Sequence, residues 1–103
     1  MKQAAKVDAN QPEIVDALKD IGCTVLHLHQ LGKGAPDILV GFRGNIWLFE
    51  IKDGNKPPSK RKLTDMEAIF HRDWRGQVAI VKTVDEAIRL VTGYEHTADM
   101  PPF

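Results

Sequence analysis

The chain has 103 residues, 43% hydrophobic and 27% charged, which suits one buried core and is too short for two. No apolar run approaches the roughly 20 residues that span a bilayer, MKQAAKVDAN lacks the apolar centre of a secretory signal, and the single Cys23 has no internal disulfide partner. These features exclude a membrane-spanning helix and point to a reducing cytoplasm.

Fourteen basic residues balance fourteen acidic ones, so bulk charge does not advertise a nucleic-acid partner and the local distribution must be read instead. Residues 1–9 show no periodicity and read as a flexible arm. Asn10 then reads as the N-cap of a first helix, with Pro12 in the first turn, Ile14, Val15, Leu18 and Ile21 at helical spacing, and Gly22 as the stop. Glu13 falls where the acidic half of a capping box belongs, with a favourable helix-dipole contribution of about 0.3 to 1 kcal/mol. Residues 23–28 predict a strand that sets Cys23, Val25, His27 and His29 on one face. That trio of possible metal donors matches no common zinc spacing and lacks a fourth ligand, so the histidines are expected to face a site or solvent. The glycine-rich residues 30–35 follow as a loop, with Lys33 placed to touch a phosphate.

Two short apolar runs, 38–40 and 46–51, flank the turn residues Gly41, Arg43, Gly44 and Asn45 and predict a β-hairpin. Asp37 stands at the mouth of its first strand, while Glu50 and Lys52, two apart and therefore on one face, stand near the end of the second. Two carboxylates and an ammonium thus gather beside an apolar core, where unpaired charge is costly, and that cost marks a functional cluster.

Beyond the turn Asp53-Gly54-Asn55, the residues Lys56, Lys60, Arg61 and Lys62 form a basic loop interrupted by two prolines. It reads either as a solvated linker or as a phosphate contact beside the cluster. Thr64 and Glu67 form a capping box for a second helix with an apolar stripe of Leu63, Met66, Ile69, Phe70 and Trp74, ended by Gly76. The continuous apolar run in 77–82 predicts a strand in the middle of the sheet. Thr83 and Glu86 repeat the capping box for a third helix, whose Val84, Ala87, Ile88 and Val91 face the core and which Gly93 ends. Residues 94–103, with Tyr94, Met100 and Phe103, read as an apolar tail that dangles or packs on a partner.

Pro36-Asp37 followed thirteen positions later by Glu50-Ile51-Lys52 resembles the PD-(D/E)XK nuclease signature at every signature position. The glycine-rich approach and short hairpin resemble more narrowly the small stand-alone VRR-NUC branch of phages and bacteria, over most of the chain. The resemblance implies an α/β, restriction-endonuclease-like core: a four-stranded mixed sheet flanked by helices in the order α-β-β-β-α-β-α, in a single domain. It also implies that an acidic residue of the first helix completes a metal site, which Glu13 resembles, so Glu13 keeps two readings, ligand and cap. A polar residue of the second helix is implied near the site, with Lys62, Thr64, Glu67 and His71 as candidates.

Phosphodiester hydrolysis needs an activated water and neutralisation of developing charge, which a hard divalent ion supplies. Asp37, Glu50 and the Ile51 carbonyl suit magnesium, with manganese as a substitute, and Lys52 suits orientation of the water. The expected activity is therefore a metal-dependent, structure-selective DNA endonuclease, acting as a homodimer on branched DNA such as a four-way junction. Two other readings stand beside it. One is a catalytically silent nucleic-acid-binding or assembly module of the same fold, and the other takes Asp37 as a turn residue and Glu50 as the salt-bridge partner of Lys52.

Overall fold

The structure, a computed structural model, describes residues 8–93, so most of the expected arm and the tail with Tyr94, Met100 and Phe103 lie outside the described residues. Helix α1 (Gln11–Asp20) leads into strands β1 (Thr24–His27), β2 (Ile38–Phe42) and β3 (Asn45–Ile51). Then come helix α2 (Asp65–Asp73), strand β4 (Val78–Val81) and helix α3 (Val84–Thr92). The sheet order is β1-β2-β3-β4, antiparallel through the first three strands and parallel between β3 and β4, which is the α/β order expected. The basic loop is not fully irregular, since Pro58–Lys60 form one 3-10 turn.

The β2–β3 hairpin sets the register of the site. Phe42 pairs with Asn45, leaving Arg43 (φ 50) and Gly44 (φ 83) as a two-residue loop whose positive φ angles match the strand twist. Gly41, expected in the turn, instead extends β2 opposite Thr24, whose Oγ1 would lie 2.7 Å from a Cβ at that position. Ile14, Val15 and Leu18 of α1 and Ala87 and Val91 of α3 pack on Ile38, Val40 and Phe42 of β2 and on Trp47, Phe49 and Ile51 of β3. Strand alternation then turns Leu39, Leu48 and Glu50 to the other face of the sheet, and Asp37 and Lys52 follow from the strand ends.

Several local expectations change in three dimensions. Strand β4 is an edge strand among the described residues, not a central one, and Ile80 is 38% exposed. An apolar run of four reports burial on at least one face but not which neighbours supply it, and here β3 and α3 suffice. Asn10 occupies the N-cap position of α1 but does not cap it. Its amide donates to the carbonyls of Lys52 (3.1 Å) and Lys82 (3.0 Å), so the expected capping box with Glu13 is absent. Two strand-end carbonyls in a part-buried site cost more when left unpaired than a helix-end N–H open to water. The box at α3 is half formed: Thr83 Oγ1 accepts from the Glu86 N–H at 3.1 Å, while Glu86 Oε1 accepts from the Lys82 N–H at 2.8 Å.

Candidate active site

Continuing the hairpin register one step past Ile38↔Phe49 sets Asp37 opposite Glu50. The Asp37 N–H donates to the Phe49 carbonyl (3.0 Å), the Asp37 carbonyl accepts from the Leu28 N–H (2.7 Å), and Asp37 Oδ2 accepts from the Ile51 N–H (2.7 Å). Three hydrogen bonds with neighbouring backbone therefore hold Asp37, two through its own backbone and one at its carboxylate. Glu50 is 3% exposed; its Oε2 lies 3.5 Å from Lys52 Nζ, and its Oε1 is buried with no partner. Each carboxylate spends one oxygen on the protein.

Helix α2 closes the site from the second face. Its capping box is complete: Thr64 Oγ1 accepts from the Glu67 N–H (3.2 Å), and Glu67 Oε1 accepts from the Thr64 N–H (2.9 Å). The same Oε1 accepts from Lys52 Nζ at 2.9 Å, so Glu67 is both cap and partner of the lysine. The helix can come this close because Gly34 (φ 80) leans on its first turn, where a Cβ would run into the Met66 carbonyl and lie 2.9 Å from the Glu67 nitrogen. Asn10 secures the Lys52 carbonyl from the start of α1.

The result is a cavity of about 350 Å³ in which Asp37, Glu50, Ile51 and Lys52 meet Glu67, Thr64, His29 and Asp8. Burial, then the facing Asp37 carboxylate and Glu67, push Glu50 up to about 9. Burial also raises Asp37 above the usual carboxylate range, although the Ile51 N–H pulls it back in part. Burial works against the Lys52 ammonium, but the Glu67 hydrogen bond and the Glu50 and Glu67 charges outweigh it and raise its pKa. Burial likewise opposes ionisation of Glu67, which the Thr64 N–H and Lys52 reverse. Four carboxyl groups thus line the cavity with one lysine among them, and that lysine is already shared by two. A salt bridge between Glu50 and Lys52 exists, but it leaves Glu50 Oε1 without a partner and does not offset the burial of the two facing carboxyl groups.

Such a donor set suits a hard cation: two facing carboxylates, an unpartnered buried oxygen and room for water. Among the described residues no three histidine, cysteine or carboxylate side chains form a cage by themselves, so a cation here would complete its shell with backbone oxygen and water. Glu13 is not brought to this cavity. The phase of α1 that buries Ile14, Val15 and Leu18 leaves Glu13 exposed, in a separate depression with Asn10, Asp53 and Asp85. Cys23, His27 and His29 do not assemble either: Cys23 packs in the core, where burial pushes its thiol up to about 11, and His27 is exposed.

Of the candidates around the second helix, Thr64 and Glu67 line the cavity, whereas Lys62 is exposed and His71 sits half-buried outside the lining. The basic loop leaves the cavity at Lys52 and returns at Thr64; Lys60 and Lys62 are exposed, Arg61 is half-buried, and Lys56 lies 3.8 Å from Asp8. Lys33 lines an adjoining groove on α2. Asp8 escaped the sequence reading because it precedes the first periodic segment, and the pairing of Glu67 with Lys52 escaped it because the capping box already accounts for Glu67.

No protein-family model matches the chain. No curated protein matches it. A solved structure described as a VRR_NUC domain is similar at 29% identity with a TM-score of 0.54, over 84% of this chain and 99% of that one. The mixed four-stranded sheet, its flanking helices and this likeness define a restriction-endonuclease-like, nuclease-type fold. More narrowly, the likeness supports a VRR-NUC nuclease-fold domain, in line with the Pro36-Asp37 and Glu50-Ile51-Lys52 pattern. Among the described residues no helix is long and apolar enough to cross a membrane.

Proposed function

We propose that this domain is a divalent-metal-dependent DNA endonuclease, with Asp37, Glu50 and the Ile51 carbonyl as the protein ligands of Mg²⁺ or, in its place, Mn²⁺. The observation that carries this reading is the buried, unpartnered Oε1 of Glu50 opposite Asp37 in a cavity with an excess of carboxyl groups. A bound ion would supply Lewis-acid polarisation of the phosphate and offset the charge on the two carboxylates. Asp37 is anchored by the Ile51 N–H, which occupies its Oδ2 and leaves the other oxygen for an ion. Lys52, braced between Glu50 and Glu67, orients the attacking water and stabilises charge on the phosphorus oxygens. The exposed lysines of the basic loop, with Lys33 across the cavity rim, take the backbone phosphates flanking the cleaved bond.

The one carboxylate cavity among the described residues would cut one strand, so paired incision of a branched substrate such as a four-way junction calls for a two-fold homodimer. The test is cleavage of labelled linear and branched DNA with Mg²⁺, Mn²⁺ or chelator, beside sedimentation of the protein. We expect metal-dependent cuts in branched DNA, a mass near twice 11.5 kDa, and loss of cutting in Asp37→Ala and Lys52→Ala variants that fold normally. Metal-independent retention of DNA without cutting would instead make the chain a binding module. The basic loop has its own signature. Neutralising Lys60 and Lys62 together lowers the salt slope of log affinity by about 1.8 on duplex DNA, at about 0.9 for each phosphate no longer neutralised. An unchanged slope returns the loop to the role of a solvated linker.

A further inference from the structure

The stripe predicted on the second helix does not enter the core. No residue of α2 is fully buried, and Met66, Ile69 and Trp74 are 51%, 48% and 45% exposed. With Phe70, Asp73 and Lys33 these side chains line a groove of about 280 Å³. The groove shares a wall with the carboxylate cavity. Gly32 and Gly34 line the cavity while Lys33 between them lines the groove, and Glu67 lines the cavity while Met66 beside it lines the groove.

Trp74 is held as a platform. Its ring stacks on Phe70 with centroids 5.3 Å apart and planes within 15°, and a Cβ at Gly76 would lie 2.7 Å from its Nε1. The acidic residue of the groove is compensated, because Arg72 Nε and Nη2 donate to Asp73 at 2.8 and 3.2 Å. Lys33 is then the cation facing an aromatic, otherwise apolar surface.

The geometry points to a nucleobase subsite: an unpaired base adjoining the phosphodiester in the cavity stacks on Trp74, with Lys33 against its phosphate. Stacking platforms beside a cation suit single-stranded nucleic acid because every base offers a π-face. Size argues the same way. Six lining residues fall well short of the roughly 20 to 30 that each side contributes to a standard protein interface. The volume instead sits at the small end of ligand sites, of the order a planar ring system fills. This assignment deepens the nuclease reading and rests on it for the placement of the phosphate. Among branched substrates it selects those with unpaired nucleotides at the cut over a fully paired four-way junction.

The test is a titration of the protein in chelator, where no cleavage intervenes, with an oligothymidylate and with DNA carrying a single-stranded branch or only blunt duplex. Tryptophan emission should be quenched by the oligothymidylate, because Trp74 is exposed whereas Trp47 is 8% exposed and core-packed. Trp74→Leu should abolish the quenching and weaken binding of the branched DNA about five- to hundred-fold, leaving blunt duplex unchanged; Trp74→Phe should restore most of the affinity. Wild-type affinity for the oligothymidylate and the branched DNA in Trp74→Leu overturns the subsite. So does a wild-type dimer that this variant converts to monomer, since the groove would then be an interface between copies. If quenching persists in a protein that cuts no DNA with any metal, the nuclease reading falls and the base subsite stands.

Discussion

Replacing Glu50 by glutamine raises the melting temperature of the metal-free protein at neutral pH and abolishes cleavage. Glu50 is 3% exposed and faces Asp37, so its folded pKa of about 9 lies well above the ordinary 4.5. The folded state therefore holds a proton that the unfolded state releases, and stability falls as pH rises from about 4.5 towards 9. Asp37, also raised, adds to the decline in the same direction. Glu67, lowered, contributes stability that is lost only as pH falls through its own folded value, and Lys52, raised, loses its contribution only at high pH. Glutamine keeps the shape of Glu50 without the charge, so it should gain at least about 1 kcal/mol at pH 7.5, or roughly 4 to 8 °C for a domain of this size. Thermal melts from pH 5 to 9 in chelator check it, and parallel pH curves for wild type and variant would refute the assignment. Added Mg²⁺ should raise the wild-type melting temperature and raise that of Glu50→Gln by less, because the variant leaves the ion one charged ligand, Asp37, in place of two.

Gly34→Ala should be the most damaging small substitution in the chain. Its φ of 80 costs a Cβ-bearing residue about 1 to 2 kcal/mol, and the added carbon meets the Met66 carbonyl and the Glu67 nitrogen, backbone atoms that cannot swing aside. Relieving that overlap means pushing the first turn of α2 outwards, at about 1 to 3 kcal/mol more, and Glu67 would leave Lys52 with it. Gly32→Ala is the control: its φ of 70 carries the same conformational cost, but nothing lies within 4 Å of the added carbon. Denaturant unfolding should show Gly34→Ala losing about 2 to 5 kcal/mol and Gly32→Ala only the smaller, conformational part. Equal losses would mean that the loop does not brace α2. Cleavage by Gly34→Ala should fall beyond its loss of folded protein, because the lysine loses one of its two partners.

The chain itself determined whatever depends on neighbours a few residues apart. Thr64 and Glu67 form the box their spacing predicts, Gly93 ends α3 with a φ of 78, and the hairpin brings Asp37 opposite Glu50 with Lys52 on the same side. These follow from hydrogen bonds and strand alternation that any chain with these residues would make locally. Tertiary structure decided which partner won where two were on offer. Asn10 caps nothing because carbonyls 42 and 72 residues away compete for its amide, and Glu67 serves a lysine on another element as well as its own helix. Glu13 and Asp8 exchanged their expected importance, since the helical phase that buries Ile14, Val15 and Leu18 turns Glu13 from the cavity while the chain before the helix carries Asp8 into it. The apolar stripe of α2 and the run in β4 were both visible as patterns, but periodicity reports only that a face is apolar. Whether a sheet, a helix or open groove lies against it depends on where distant segments come to rest.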